Sequence, residues 1–350
     1  MSEPSDLEIA GHSFAPGENR TIELAVGQSL VGSTISVPIN VQRGLMPGPT
    51  LLLTGGVHGD EYNGPAVIRE LITNPLPLKK GSLVMVPVVN VHAFEQRMRY
   101  MPDRRDLNRC FPGLIEGSQS SRYAAVFFQE VVLKCSCGID LHSAASPRTN
   151  HPNLRADLSN PMCQKLSTYL GCEIIMDAKG IVGTLRREAT AAGVPVVLME
   201  AGETMRTSPN IVNYTLQRLI SVIAGLGMID AEPIRPKFRA TIVKSSWVRA
   251  DYGGFLEFKV ASGDIVHRGQ VLATHSTIMG GPLADLRAPH DGIIIGMTTS
   301  PTALPGDPIC HLAIPKGGIK RILNTLDSNS LANETMPDPF DVEAITLGVY

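Results

Sequence analysis

LLLTGGVHGDE, residues 51–61, is the stretch on which the fold turns. Its apolar run is short and unbroken, the mark of a strand covered on both faces. Two glycines end it. In the following GPAVIRELITNPL, Pro65 suits a first helical turn, and Val67, Ile68, Leu71 and Ile72 recur at helical spacing. A buried strand therefore runs into a helix, and His58 and Glu61 occupy the bend between them.

The same alternation continues downstream. SLVMVPVVN (82–90), CGIDLHS (137–143), EIIMDA (173–178) and VPVVLMEAG (194–202) read as further strands. Helices are predicted over SRYAAVFFQEVVLKC (121–135), around Pro161 to Leu170, over LRREATAAG (185–193) with Gly193 ending it, and over PNIVNYTLQRLISVIAGLG (209–227). SPRTNHPNLRAD (146–157) reads as a polar loop. Upstream, SLVGSTISVPINVQRG (29–44) resembles strands joined at Gly and Pro. The expected class is α/β, a mixed, largely parallel sheet flanked by helices. Ligands bind such sheets at the carboxyl ends of their strands.

Composition changes at EPIRPKF (232–238), where two prolines mark a linker. Beyond it, short strands and glycine turns dominate. The turns in SGDIVHRGQ and PGDPI resemble those of biotinyl- and lipoyl-carrier domains, which are barrel-sandwich folds. No lysine stands between Lys259 and Lys316, so the swinging-arm chemistry of such carriers is excluded. The chain divides on this reading into residues 1–235, a β-rich segment 236–318 and a tail 319–350.

A chain of 350 residues exceeds what one hydrophobic core usually spans, and 43% hydrophobic with 18% charged residues is a globular composition. A net charge of −2 argues against a nucleic-acid or membrane surface. The start, MSEPSDLE, has no apolar core to make a secretory signal, and no apolar run approaches the ~18 residues that span a bilayer. Six cysteines are too few for a disulfide scaffold, and the spacing of Cys135 and Cys137 is too tight for a structural zinc pair. Reduced thiols in a cytoplasmic protein are expected. Self-association into a dimer or higher oligomer is the default.

Imidazole and carboxylate both suit a borderline metal ion, and His58 and Glu61, three residues apart at a bend, can face one point. A catalytic zinc takes three protein ligands and keeps a fourth position open. The third is expected from another strand end, and DLHS (140–143) offers His142 there. Asp140, two residues earlier on the same strand face, could orient it. In DRRDLNRCFPG (103–113), Asn108 and Arg109 are adjacent, as they would be if both gripped a substrate carboxylate.

GGVHGDE, DLNRCFPG, DLHS and LMEAGE, in this order, resemble the motifs of the succinylglutamate desuccinylase/aspartoacylase family, a relative of the zinc carboxypeptidases. The resemblance covers residues ~50–205 and extends more loosely into the β-rich segment. It implies a zinc carboxypeptidase-like sheet and one Zn2+ per chain held by His58, Glu61 and His142. It also implies Asn108 and Arg109 on a substrate carboxylate, and Glu200 as the catalytic carboxylate. Glu203, three residues on, competes for that role. An arginine that polarises the scissile carbonyl is expected at Arg99, with Arg104 and Arg105 as alternatives. Arg148 or Arg155, and Arg186 or Arg187, would contact one end of the substrate; Arg148 and Arg186 are taken here. His151 faces the site only if its loop does. His267, His275, His290 and His311 lack ligand spacing and are read as structural or exposed. GGPLADLRAPHDG (280–292) is expected to approach the site. The implied reaction is hydrolysis of an amide in a small N-acyl amino acid carrying a carboxylate, with a carboxypeptidase acting on short peptides as the runner-up. A binding protein that lost the chemistry would lack a ligand or the base, and all four residues are present.

Overall fold

The computed structural model describes residues 7–330. A hairpin of β1 (Leu7–Ile9) and β2 (His12–Phe14) precedes β3 (Asn19–Gln28), β4 (Thr34–Arg43) and β5 (Met46–Thr54). Then come α1 (Asn63–Thr73), β6 (Lys80–Val86), the short α2 (Val91–Glu95), α3 (Gln119–Glu130), β7 (Cys137–Ala144) and β8 (Arg148–Ala156). They are followed by α4 (Pro161–Leu170), β9 (Ile174–Asp177), α5 (Leu185–Ala191), β10 (Val196–Glu203) and α6 (Pro209–Gly225). The C-terminal part holds β11 (Ala240–Arg249), β12 (Gly254–Phe258), β13 (Ile265–Val266), β14 (Val271–Ser276) and β15 (Pro282–Arg287). It closes with β16 (Gly292–Thr298), β17 (Thr302–Ala303), β18 (Pro308–Pro315) and α7 (Ile319–Ser330).

One 12-stranded sheet runs β13-β16-β18-β11-β9-β8-β10-β7-β5-β6-β4-β3. Its centre, β6-β5-β7-β10, is parallel. Side chains alternate across the central strands, which fixes two cores. Leu51 and Leu53 pack with α1, α4 and α6 on one face. Leu52 packs on the other with Phe127 and Phe128 of α3, Leu185 of α5 and the N-terminal hairpin. The continuous apolar reading of LLL thus records burial on both sides.

Three features depart from the sequence-based expectation. The sheet is mixed, as expected, but it is parallel only in part, because β3, β4, β8, β16 and β18 pair antiparallel with neighbours. Residues 148–156, expected as a loop, form β8, antiparallel to β10 and parallel to β9. The tail begins with α7, whose Ile319 and Ile322 are buried, the latter against Ile174, Ala240 and Ile293. Residues 331–350, including DVEAITLGVY, lie outside the described residues.

The β-rich segment has a small core of its own, made of residues between Ala250 and Leu312, and a separate four-stranded sheet β15-β14-β12-β17. Yet β11 joins β9, and β16 pairs with β8 through Gly296↔Asn150 and Thr298↔Arg148. Hydrogen bonding therefore continues across the proline-marked linker. Among the described residues, no helix is long and apolar enough to cross a membrane.

Candidate metal centre and active site

The bend after β5 is held shut by close backbone approach. A Cβ on Gly59 would lie 2.0 Å from the carbonyl carbon of Ala93 in α2, so only glycine lets α2 close on this loop. The loop delivers His58 and Glu61, and β7 delivers His142 near its carboxyl end. All three are buried, and one ligand atom from each lies within 4.8 Å of the others. His58 Nδ1 is 2.7 Å from Glu61 Oε1, and His142 Nδ1 is 3.0 Å from Glu61 Oε2. The backbone N–H of Ser143 donates to the same Oε2 at 3.0 Å.

Each imidazole is braced from behind. His142 Nε2 meets Asp140 Oδ2 at 2.9 Å, and Asp140 Oδ1 accepts from Thr54 Oγ1 at 2.8 Å. His58 Nε2 meets Asp106 Oδ1 at 3.1 Å. Burial works against ionising Glu61, but the charges of His58 and His142 outweigh it and hold its carboxyl well below the usual range. Burial likewise opposes a charge on His142, and Asp140 and Glu61 overcome it, raising that imidazole well above its ordinary value. The donor set fits a zinc ion. Two imidazole nitrogens and a carboxylate converge, and the other nitrogen of each imidazole is engaged by a carboxylate that fixes its ring.

Asp106 was not singled out in the sequence, although it begins DLNR. It accepts from the Asn108 backbone N–H at 2.9 Å and from Arg99 Nη2 at 3.0 Å, so it orients the loop as well as His58. Burial raises its carboxyl, but the His58 hydrogen bond, then the charges of His58, Arg99 and Arg109, hold it well below the usual range. Arg99 also lies 3.6 Å from Glu61 and lines the cavity, whereas Arg104 and Arg105 do not. Asn108 spends its Oδ1 on the backbone N–H of Leu185 at 2.8 Å, and Arg109 donates to the Asn108 carbonyl at 2.6 Å.

These groups open into a cavity of about 650 Å³. Glu200 stands on its wall at the level of His142 on the neighbouring parallel strand. Asn150 Nδ2 donates to Glu200 Oε2 at 3.0 Å, and Arg155 Nη2 lies 3.4 Å from Oε1. Glu203 pairs with Arg206 at 3.2 Å and does not line the cavity. Arg148 and Arg186 do line it; Arg186 donates to the Ala178 carbonyl at 2.7 Å, and burial, then Arg155, pushes its guanidinium down to about 10. Arg187 is tied to the Gly180 carbonyl and stays outside.

Two expectations about the walls are corrected. His311, read as structural, faces the cavity: it stacks on Trp247 at 4.6 Å, while the Arg148 guanidinium lies 4.8 Å over the same indole. Burial, then the charges of Arg155 and Arg148, push the His311 imidazole down to about 4. The loop 280–292 does not line the cavity; β11 and β18 supply the wall instead. His151 packs beside Gly263, away from the lining. Trp247, Asn150 and Lys179 also line the cavity and had no signal in the sequence beyond their residue type.

A His–Glu–His cluster gathered at the edge of a basic cavity, over a sheet with a parallel centre, is the setting in which the sequence comparisons are to be placed. Residues 47–226 match the model of the succinylglutamate desuccinylase/aspartoacylase catalytic domain, and the chain belongs to that family. It is similar to the N-alpha-acetyl-L-2,4-diaminobutyric acid deacetylase of Halomonas elongata, with 28% identity over 333 residues, 89% of this chain and 94% of that protein. A probable aspartoacylase of Synechococcus sp. (strain CC9605) is 32% identical over 113 residues, 29% of this chain and 35% of that protein. Among solved structures, the product-bound ectoine utilization protein EutE (DoeB) of Ruegeria pomeroyi superposes with a TM-score of 0.74 at 23% identity, covering 85% of this chain and 94% of that one. A succinylglutamate desuccinylase/aspartoacylase of Rhodobacter sphaeroides gives 0.74 at 24% identity, covering 85% and 95%. These structural likenesses speak to the fold.

Proposed function

We propose that the protein is a cytoplasmic, zinc-dependent deacylase that hydrolyses the amide bond of a small N-acyl amino acid or related N-acyl compound. One observation carries the reading: three ligand atoms, from His58, Glu61 and His142, converge within 4.8 Å at the edge of a cavity that Glu200 also lines. A bound zinc ion would supply Lewis-acid polarisation and lower the pKa of a water toward ~7. Glu200 takes the proton of the attacking water and passes it to the leaving amine. Arg99, steadied by Asp106, donates to the carbonyl oxygen as charge develops there. Asn108 and Arg109 grip the substrate carboxylate, and Arg148 and Arg186 receive its other end.

The full-length similarity to a deacetylase of an N-acetyl amino acid supports this substrate class. So does the Trp247–His311 wall, which bounds the cavity and favours small substrates over peptides. Residues 1–235 are taken as a carboxypeptidase-like catalytic unit and 236–318 as a barrel-sandwich-like unit that bounds its cavity.

Metal analysis together with a panel of N-acyl amino acids and short peptides tests the reading. About one zinc per chain and amide hydrolysis on the panel are expected. Glu61→Ala should lose both metal and activity; if it kept full amounts of each, the proposal would be wrong.

A further inference from the structure

Asn150 lies on β8 between two strands. On one side it is level with Gly202 of β10, and on the other with Gly296 of β16. Its Nδ2 donates to Glu200 Oε2 at 3.0 Å. Its Oδ1 looks the other way: a Cβ placed on Gly296 would stand 2.6 Å from that oxygen. Real side chains do not approach so closely. The missing side chain at 296 is therefore what leaves the Asn150 amide its room.

The strands around Glu200 are irregular at this point. The register of β10 slips against β7 between Glu200 and Glu203, and against β8 between Glu200 and Gly202. Bulges of this kind re-aim a side chain out of the regular ladder. A carboxylate released from a regular ladder needs something else to fix its rotamer. Asn150 on Oε2, with Arg155 3.4 Å from Oε1, does this.

We infer that Asn150 is a positioning residue for Glu200, and that Gly296, brought by the C-terminal segment, sets the Asn150 rotamer. The inference rests on the deacylase reading above, in which Glu200 moves the proton. An amide N–H on one oxygen fixes which oxygen faces the attacking water. The C-terminal strands thus act on the chemistry through one side chain, besides walling the cavity.

Asn150→Ala, Asn150→Asp, Gly296→Ala and the Asn150→Ala/Gly296→Ala double variant test this in the zinc-loaded full chain, with N-acetyl amino acids as substrates. Asn150→Ala should lower kcat about 10²-fold, the scale on which misplaced catalytic groups lose rate. KM and zinc content should stay near the wild-type values, a split that a merely structural role would not produce. Asn150→Asp keeps the shape but sets a second carboxylate against Glu200 Oε2 in place of the N–H donor, so it should be slower than the alanine variant. A space-filling role would give the reverse order and overturn the inference. Gly296→Ala should reproduce the Asn150→Ala profile, and the double variant should be no slower than Asn150→Ala alone, because both changes break one link. Losses that multiply would remove Gly296 from the scheme. If Gly296→Ala does not fold, the order of the two Asn150 variants decides. If Glu200→Gln turned over at the wild-type rate, the deacylase reading itself would fail. If Glu200→Gln were inactive while both Asn150 variants matched the wild type, only the positioning role would fail.

Discussion

Each metal-site imidazole is only as well oriented as the carboxylate behind it. Removing the charge of Asp140 while keeping its shape should therefore weaken the site without unfolding it. Asp140→Asn is expected to bind zinc about 10- to 100-fold more weakly, measured by competition with a chelator. His311 gives a prediction about acid. Its imidazole titrates near 4 in the folded chain but near 6.5 when unfolded, so the unfolded state takes up its proton first as pH falls. The stability it contributes is fully present above about pH 6.5 and is lost toward pH 4. Denaturant unfolding at pH 7 and pH 5 should show a smaller acid loss in His311→Gln than in the wild type. The His58–Glu61–His142 cluster was legible because His58 and Glu61 stand three residues apart and His142 lies near the end of a buried strand. Asp140 was legible by strand alternation. Asp106 was not, because its carboxylate sits in a charged run and its partner His58 is 48 residues away.

At the scale of the element, the helices and central strands followed from periodicity, and α4 runs from Pro161 to Leu170 as its pattern requires. β8 escaped. Pro152 interrupts it, polar residues fill its first half, and the slip of register against β10 falls opposite that proline. A proline at a bulge removes no ladder bond, so the strand tolerates a residue that normally argues against one. Because the strand was missed, Asn150 and Arg155 could not be aimed. The bend after β5 makes the opposite case, since its glycine was visible but its reason was not. Gly59→Ala would drive a methyl group into the Ala93 carbonyl and should cost about 1–3 kcal/mol. Denaturant titration should detect that loss, and zinc content should fall with it, because the same loop carries His58 and Glu61, two of the three proposed ligands.

Across the whole molecule, the change of composition near residue 235 was readable, but the continuity of the sheet was not. Pairing Gly296 with Asn150 joins residues far apart in sequence, and no local pattern encodes such a partner. The chain has one tryptophan, and it stands on the cavity wall. Its emission should therefore change saturably when a product amino acid is titrated into the zinc-loaded protein, and Trp247→Phe should abolish the signal. A flat titration would mean that ligands do not reach this wall.

The pairing that runs from β10 through β8 to β16 has a kinetic corollary. A cavity wall tied to the central sheet by backbone hydrogen bonds should keep its place when substrate arrives, and the aperture with it. Selection by size then becomes a matter of a fixed gauge. A series of ever longer straight-chain acyl groups should pass at similar rates up to one length and stop abruptly beyond it.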